Sequence, residues 1–415
     1  MVNLLRQRNF SLLWFAGLIS MLGDWVLFIA LPIYTYELTR SSLATGLMFM
    51  AGILPHVLVG SLAGVIVDRS DRKKIMVLAD LSRAALLLLL LWVKSSEQIW
   101  IVYLVAFLQS TISQFFGSAE NALLPQLVDE SNLIAANSLN TLNNNLARLA
   151  GPALGGLLLG LLGFTSVIFL DSLSFLISGL MIALIIRPAE TKTSDIAFQE
   201  PLLAAQGKFW KEWADGFKII FNNRVVSIVF LIMATASIAE GVFNVLFIVF
   251  VSQVLNGDAL DYGWLTSSQA VGGLIGGLLV GWMGRRIKPN LLIALLAING
   301  FFILFLVNLP SFPLSIGLLF LAGIPITGYS IGINTLLQQN VADEFRGRIF
   351  GTLGASMAIF LLIGQGLASG LGDHFGPAPM LNIKGLLDIG AGMLAIIFLY
   401  KVSNNQTPIP AESNL

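Results

Sequence analysis

Long apolar stretches follow one another along this chain, each broken by a few charged, Gly or Pro residues. They cover approximately 11–36, 43–67, 75–93, 99–123, 138–161 and 164–186, then 225–252, 262–283, 290–308, 313–338, 349–372 and 382–400. Most carry few charges, and a helix rising ~1.5 Å per residue crosses the hydrocarbon layer in roughly 20 residues. The expected fold is an all-α membrane protein, with twelve transmembrane helices in two pseudo-symmetric six-helix halves. The first stretch starts near Phe10 and is too long for the apolar part of a cleavable signal, so it reads as a retained span.

One polar interruption, 187–224, is long. In its second part Trp210, Trp213, Phe217, Ile220 and Phe221 share one helical face, with Lys and Glu opposite. That pattern suits a helix lying in the membrane surface. The closing segment, "NNQTPIPAESNL", is expected to be disordered. The chain therefore divides into an N-terminal half, 1–186, a cytoplasmic linker with an amphipathic helix, 187–224, a C-terminal half, 225–401, and a tail, 402–415.

Composition supports this division. Of 415 residues, 56% are hydrophobic and 11% charged, against about 25% charged in soluble domains, which leaves no large soluble domain. The formal net charge is zero, so the total offers no argument for a nucleic-acid partner. Cysteine is absent, which excludes disulfides and thiolate metal sites. With both termini placed in the cytoplasm, 18 of the 23 Lys and Arg residues fall in inner segments. Only Arg40, Lys94 and Lys384 fall in outer loops or their edges, and Arg83 and Arg148 fall inside spans. This asymmetry predicts a multi-pass protein of the inner (plasma) membrane with cytoplasmic termini.

The two halves echo each other at an offset near 213 residues. "ENALLPQLV" from Glu120 faces "INTLLQQNV" from Ile333 with five identities in nine, "GVIVDRSDRK" from Gly64 faces "GLLVGWMGRR" from Gly277, and Gly151 faces Gly364. Two repeated halves around a midplane site are a common plan of secondary transporters.

The stretch "GVIVDRSDRKK" from Gly64 resembles the signature of the major facilitator superfamily, Gly-x-x-x-Asp-Arg-x-Gly-Arg-Arg, with Asp71 where the second Gly usually stands. "GVIVDRSDRKKIMVLADL" looks closest to the macrolide-efflux branch of its drug:proton antiporters. A small residue such as Gly64 permits close helix approach. Asp68, at a helix end, can accept charge-assisted hydrogen bonds from Arg69, Arg72 or a neighbouring helix terminus. Together with Asp71 and Lys73, these residues form an expected cytoplasmic conformational latch. "LARLAGPALGG" contains Gly151, Pro152, Gly155 and Gly156 and is similar to the Gly-Pro-x-x-Gly-Gly element of the superfamily's exporters. Gly151 and Gly155 share a face that can pack tightly, and Pro152 removes a backbone hydrogen bond and is expected to bend the helix there.

Ionisable groups at bilayer depth cost roughly 2.5–3.5 kcal/mol on insertion scales, so each needs a reason. Asp24 and Glu240 lie mid-span in equivalent first and seventh helices and are candidates for proton carriage or substrate contact. Arg148 lies on a stripe with Asn137, Asn140, Thr141 and Asn144, ~15 Å into its span by helical rise. The expectation is that Arg148 pairs with Asp24 or Glu120. Glu120 and Asp171 are weaker proton or substrate candidates, and Asp80 and Arg83, one turn apart, are expected to pair with each other or with the charged latch.

No phosphate-binding loop pattern occurs, and His56 and His374 have no metal-ligand spacing. No cofactor, metal or enzymatic activity is expected. The function expected is secondary active transport: proton-coupled export of amphipathic drugs or related small molecules by alternating access. The expected partners are a small amphipathic substrate, protons or sodium, and membrane lipids, with no nucleic acid, for a chain acting as a monomer. Rival readings are a lysophospholipid or lipid flippase, an exporter of a native metabolite such as a siderophore, and a transport-inactive membrane receptor or scaffold.

Overall fold

The structure is a computed structural model that describes residues 4–186, 213, 216–284, 287–341 and 343–399. The helices are α1 (Arg8–Thr39), α2 (Ser42–Asp68), α3 (Arg72–Leu87), α4 (Ile99–Leu127), α5 (Leu133–Ala183), α6 (Arg224–Gln253), α7 (Ala259–Met283), α8 (Pro289–Asn308), α9 (Phe312–Asn340), α10 (Asp343–Phe375) and α11 (Pro377–Leu394). Among the described residues, ten helices are long and apolar enough to cross a membrane. Their outward surfaces carry large apolar side chains such as Leu78, Trp92, Leu161 and Leu180, as lipid-facing surfaces require.

Local chemistry sets the ends. Ser41 caps α2 by accepting from the Ala44 N–H, and Asp71 caps α3 by accepting from the Lys74 N–H. Pro289, Pro313 and Pro377 occupy first-turn positions of their helices, where a missing N–H is harmless. The long α5 is interrupted once, at Gly163 (φ 76°, ψ 169°), and α10 gives way to α11 at Gly376 (φ 79°, ψ 168°). Only Gly adopts this backbone readily. The two sit 213 residues apart, so the offset seen in the sequence returns as a repeated backbone break. The last span accordingly starts at Pro377, earlier than the apolar run beginning at 382 suggests.

The chain forms two compact units. The first comprises Met1–Trp210 with Val245–Ser267 and Gln365–Phe375. Its core joins Phe10 and Leu13 of α1, Met76 of α3, Ala119 and Leu123 of α4, and Leu139 and Ile182 of α5. The second comprises Lys211–Asn244, Ser268–Gly364 and Gly376–Leu415, with Val226, Val229, Ile293, Leu337, Leu353 and Ala391 in its core. Residues 216–222 form a helix whose Phe217 and Ile220 pack on that second core while Phe221 stays exposed. Trp210 and most of the predicted linker, like the tail, lie outside the described residues.

Candidate functional site

In the first unit, polar groups converge on Arg83 of α3. Its Nε donates to Gln109 Oε1 of α4 at 2.9 Å, and Gln109 Nε2 returns a bond to the Arg83 carbonyl at 2.9 Å. The Phe175 ring of α5 lies 4.0 Å from the guanidinium carbon, a cation–π contact. Held on these sides, Nη2 pairs with Asp24 Oδ1 of α1. The Arg83 side chain is 6% exposed and that of Asp24 41%, so the pair joins a buried cation to a partly exposed acid.

Two more carboxyl groups act on this pair, and a third, Glu120, lies beyond them. Asp171 of α5 is buried against Gly23, where any β-carbon on the glycine would collide with it. Its Oδ1 accepts from Ser174 Oγ at 3.2 Å, and its Oδ2 has no partner among the described residues. Asp80, one turn before Arg83, is completely buried beside Ser178, and neither carboxyl oxygen makes a regular hydrogen bond. Glu120 of α4 lies against Gly17 of α1 beside Asn143. Three acids, Asp24, Asp80 and Asp171, thus share one guanidinium, and Glu120 acts on Asp80 from beyond them.

The structure changes several expected pairings. Arg83, not Arg148, is the partner of Asp24, because α3 rather than the polar face of α5 meets Asp24. Arg83 is therefore unavailable to pair with Asp80 alone. Arg148 does not meet Glu120 either, since Glu120 sits by Asn143, about 140° around α5 from Arg148. Lys384 is no loop residue. It is buried in α11, with Nζ 2.7 Å from Asp388 Oδ2, and Asn299 Nδ2 of α8 donates to the same oxygen at 2.8 Å. The Phe243 ring centre lies 5.2 Å from Nζ. Asp388 and Glu240 both act electrostatically on Tyr329 of α9, which places Glu240 near this second cluster.

On α5, Asn137, Thr141, Asn144 and Arg148 are exposed and Asn140 is partly so. The buried side of that helix turns to α1, where Trp14 Nε1 donates to the Leu139 carbonyl and Asn143 Nδ2 to the Trp14 carbonyl, each at 2.9 Å. The glycine-rich element packs tightly as expected: Gly151 lies against Trp25, Gly155 against Val26 and Ile29, and Gly156 against Gly263 of α7. A β-carbon on Gly156 would stand 2.6 Å from Gly263 Cα. The departure from helical backbone lies at Gly163 rather than at Pro152, because the helix continues through the proline.

Further contacts cluster at the end of the first unit where α1 ends and α2 begins. Asp373 of α10 accepts from Ser41 Oγ at 2.8 Å, Ser42 N at 2.6 Å and Leu43 N at 3.4 Å, which caps α2. Tyr36 OH accepts from Gln253 Nε2 at 2.7 Å, and Arg40 Nη1 donates to Ser252 Oγ at 3.3 Å. Ser369 packs on Gly46. Sequence reading missed this clasp, because it depends on three-dimensional neighbours and no local spacing marks it.

The charged latch residues sit at the other end of α2. Arg72 donates to the Ala122 carbonyl at 3.1 Å and Lys73 to the Ile185 carbonyl at 2.8 Å, so each ties α3 to a neighbouring helix end. Of the partners expected for Asp68, which were Arg69, Arg72 or a neighbouring helix terminus, Arg72 is turned to the Ala122 carbonyl. Asp68 and Arg69 are exposed, and Asp68 has no partner among the described residues. Gly64 meets nothing within 4 Å, so the close approach expected there is also absent.

Comparison with known proteins shows the family and the fold. The profile of the family described as "transmembrane secretion effector" matches residues 2–408. Macrolide efflux protein A of Streptococcus pyogenes is 28% identical over 92% of this chain and 94% of its own length. Multidrug efflux pump Tap of Mycolicibacterium fortuitum is 23% identical over 88% of this chain and 90% of its own. Among solved structures, a bacterial homologue of the iron transporter ferroportin in an inward-facing state superposes with TM-score 0.73 at 15% identity, covering 96% of this chain and 99% of that one.

Proposed function

We propose, from the premise that this chain belongs to the transmembrane secretion effector family of major facilitator transporters, that it is a proton-coupled exporter of amphipathic small molecules. It works by alternating access in the inner membrane, with both termini cytoplasmic. Reading Gly163 as a break between two spans and adding Ala259–Met283 to the apolar helices gives twelve crossings in two halves.

The observation that carries the coupling is the Asp24–Arg83 pair within a surplus of acid. A buried charge without a partner is costly, several kcal/mol even after relaxation. One guanidinium cannot balance the three carboxylates of Asp24, Asp80 and Asp171, so protons are the natural neutralising charge. Asp24 is the exposed member and so the one a proton can reach. Protonating Asp24 removes the partner of Arg83, which then draws on Asp171 or Asp80. Proton uptake thereby rearranges α1, α3 and α5, the helices that carry these groups.

Alternation needs contacts that exchange. The clasp of Asp373 on α2 is made, while Asp68 at the opposite end of the same helix has no partner among the described residues. In the alternate state Asp68 takes a neighbouring helix terminus and the Asp373 clasp opens. Efflux as the direction follows the named activities of the relatives.

The test is proton flux in reconstituted vesicles, stimulated by an amphipathic drug, with Asp24→Asn beside wild type. Wild type should couple flux to drug movement, and Asp24→Asn should not. Equal coupling in both would refute this role for Asp24.

A further inference from the structure

The cluster around Arg83 leaves a second intramembrane guanidinium unexplained. Arg148 is exposed, a guanidinium is always charged, and among the described residues no carboxylate pairs with it. Asp24 is held by Arg83, and Glu120 lies on the α1 side of α5. An arginine at this depth with no counter-ion among the described residues calls for negative charge from a ligand.

The faces of α5 show where the side chain looks. Leu142 and Leu146 are exposed and lie about 120–160° around the helix from Arg148, an apolar face suited to lipid. The face with Asn137, Thr141, Asn144 and Arg148 is exposed and polar, suited to water. Followed toward the C-terminal end of α5, that polar side is closed off. The Pro152 carbonyl and Gly156 meet Gly263 of α7, and Gly160 meets Leu260. Gly156 lies ~12 Å beyond Arg148 by helical rise. The polar track therefore ends blind just past Arg148. Pro152 also has no N–H for the Arg148 carbonyl, which leaves a helix acceptor open at the same place.

We infer that Arg148, with Asn144 one turn below it, binds the acidic head of an amphipathic cargo, a carboxylate or phosphate group. The planar guanidinium matches such an oxyanion through two parallel N–H bonds. Asn144 has capacity left, since its Nδ2 uses only the Asn140 carbonyl, at 3.1 Å. The apolar body of the cargo would then lie along the helices, and the open Arg148 carbonyl would accept from a protonated or hydroxyl group beside the oxyanion. This deepens the transport reading and rests on it, because it places the track on the path of the cargo.

The test is equilibrium binding to protein in phosphatidylcholine nanodiscs, without any gradient. The probes are dansyl-phenylalanine, an amphipathic carboxylate, and its neutral amide. Wild type should prefer the carboxylate about 10- to 100-fold, the range of a hydrogen bond to a charged group. Arg148→Gln should lose that preference, and Arg148→Lys, which keeps the charge without the fork, should retain part of it. Asn144→Ala, which leaves the buried face of α5 untouched, should weaken the preference and covers the case in which Arg148→Gln does not fold. Competition identifies the source of the oxyanion: displacement by lysophosphatidate points to a lipid head, and displacement by octanoate alone to a soluble acid. No charge preference in wild type, or a preference unchanged in Arg148→Gln or Asn144→Ala, overturns the inference. Loss of proton coupling in Asp24→Asn with this preference intact would separate the two proposals.

Discussion

The Arg83 cluster and the Lys384 cluster occupy related places in the two copies of the repeat, yet their charges are settled in opposite ways. At the 213-residue offset, Asp171 falls on Lys384, and Phe175, the ring against Arg83, falls on Asp388. In the second unit, one cation meets one acid, Asn299 supplies a further donor, and both charged side chains are almost wholly buried, 4% and 2% exposed. In the first unit, one cation faces three acids, two of them have buried oxygens without partners, and its ion-pair partner is 41% exposed. A balanced, sealed pair has little to exchange with solvent. An acid-rich cluster with one reachable member has protons to take up and give back. On the proposed coupling, the difference makes Lys384–Asp388 the pair that pins and Asp24–Arg83 the pair that switches.

The largest effect should come from breaking the sealed pair. Lys384→Met leaves Asp388 as a buried acid with only Asn299 for company, and removing one partner of such a pair costs about 3–5 kcal/mol. Thermal unfolding of purified protein should drop accordingly. The double variant Lys384→Met/Asp388→Leu should recover most of the loss and keep transport, because an apolar pair of similar volume often replaces a buried ion pair without penalty. A double variant that is stable but transport-dead would overturn the contrast between the clusters.

Asp24→Asn should do the reverse. The amide oxygen can still accept from Arg83, and the site is partly exposed, so unfolding should shift little. Drug-driven proton movement should fall at least about tenfold, equivalent to 1.4 kcal/mol. A variant that unfolds easily yet still couples would mean that Asp24 pins rather than switches.

The clusters also show what a sequence can disclose. The helical, membrane-spanning character was legible because an apolar run near 20 residues has few alternative fates, and the backbone break at Gly163 recurs at Gly376, at the offset of the sequence echoes. Asp24, Glu120 and Asp171 stand out in the sequence as acids in the wrong solvent, and of these Asp24 and Asp171 lie near Arg83. Their partner was misassigned because pairing depends on which helices are neighbours and which faces they turn, and spacing within one helix cannot tell. Lys384 was misplaced because a charge near an uncertain boundary reads as a loop. Its spacing from Asp388, four residues apart on one helix face, was the available signal.

A smaller effect sharpens the same contrast at the two ends of α2. Asp373 is a satisfied acid, like Asp388, with three donors at the start of the helix. Asp373→Asn keeps the shape and removes the charge, with an expected cost of about 1 kcal/mol, the scale of a helix cap with its dipole. That is roughly a fivefold shift toward opening. The chain has no cysteine, so Ser369→Cys, opposite Gly46, gives a single labelling site. Its reaction with a membrane-impermeant maleimide should quicken by about that factor in Asp373→Asn. An unchanged rate would mean the cap is not a gate.

The smallest effect separates two glycines that look alike in the sequence. A β-carbon at Gly156 would stand 2.6 Å from Gly263 Cα, whereas one at Gly64 meets nothing within 4 Å. Gly156→Ala must therefore push α5 from α7 and open the blind end of the polar track. Gly64→Ala should leave unfolding within about 1 kcal/mol of wild type, and on the stable side, since alanine favours a helix interior over glycine by that amount. Transport supplies the sharper reading, because the described conformation is only one of those that alternation needs. If Gly64→Ala is stable yet slows transport, the close approach that is absent at this end of α2 forms in another state, and the glycine serves exchange rather than packing.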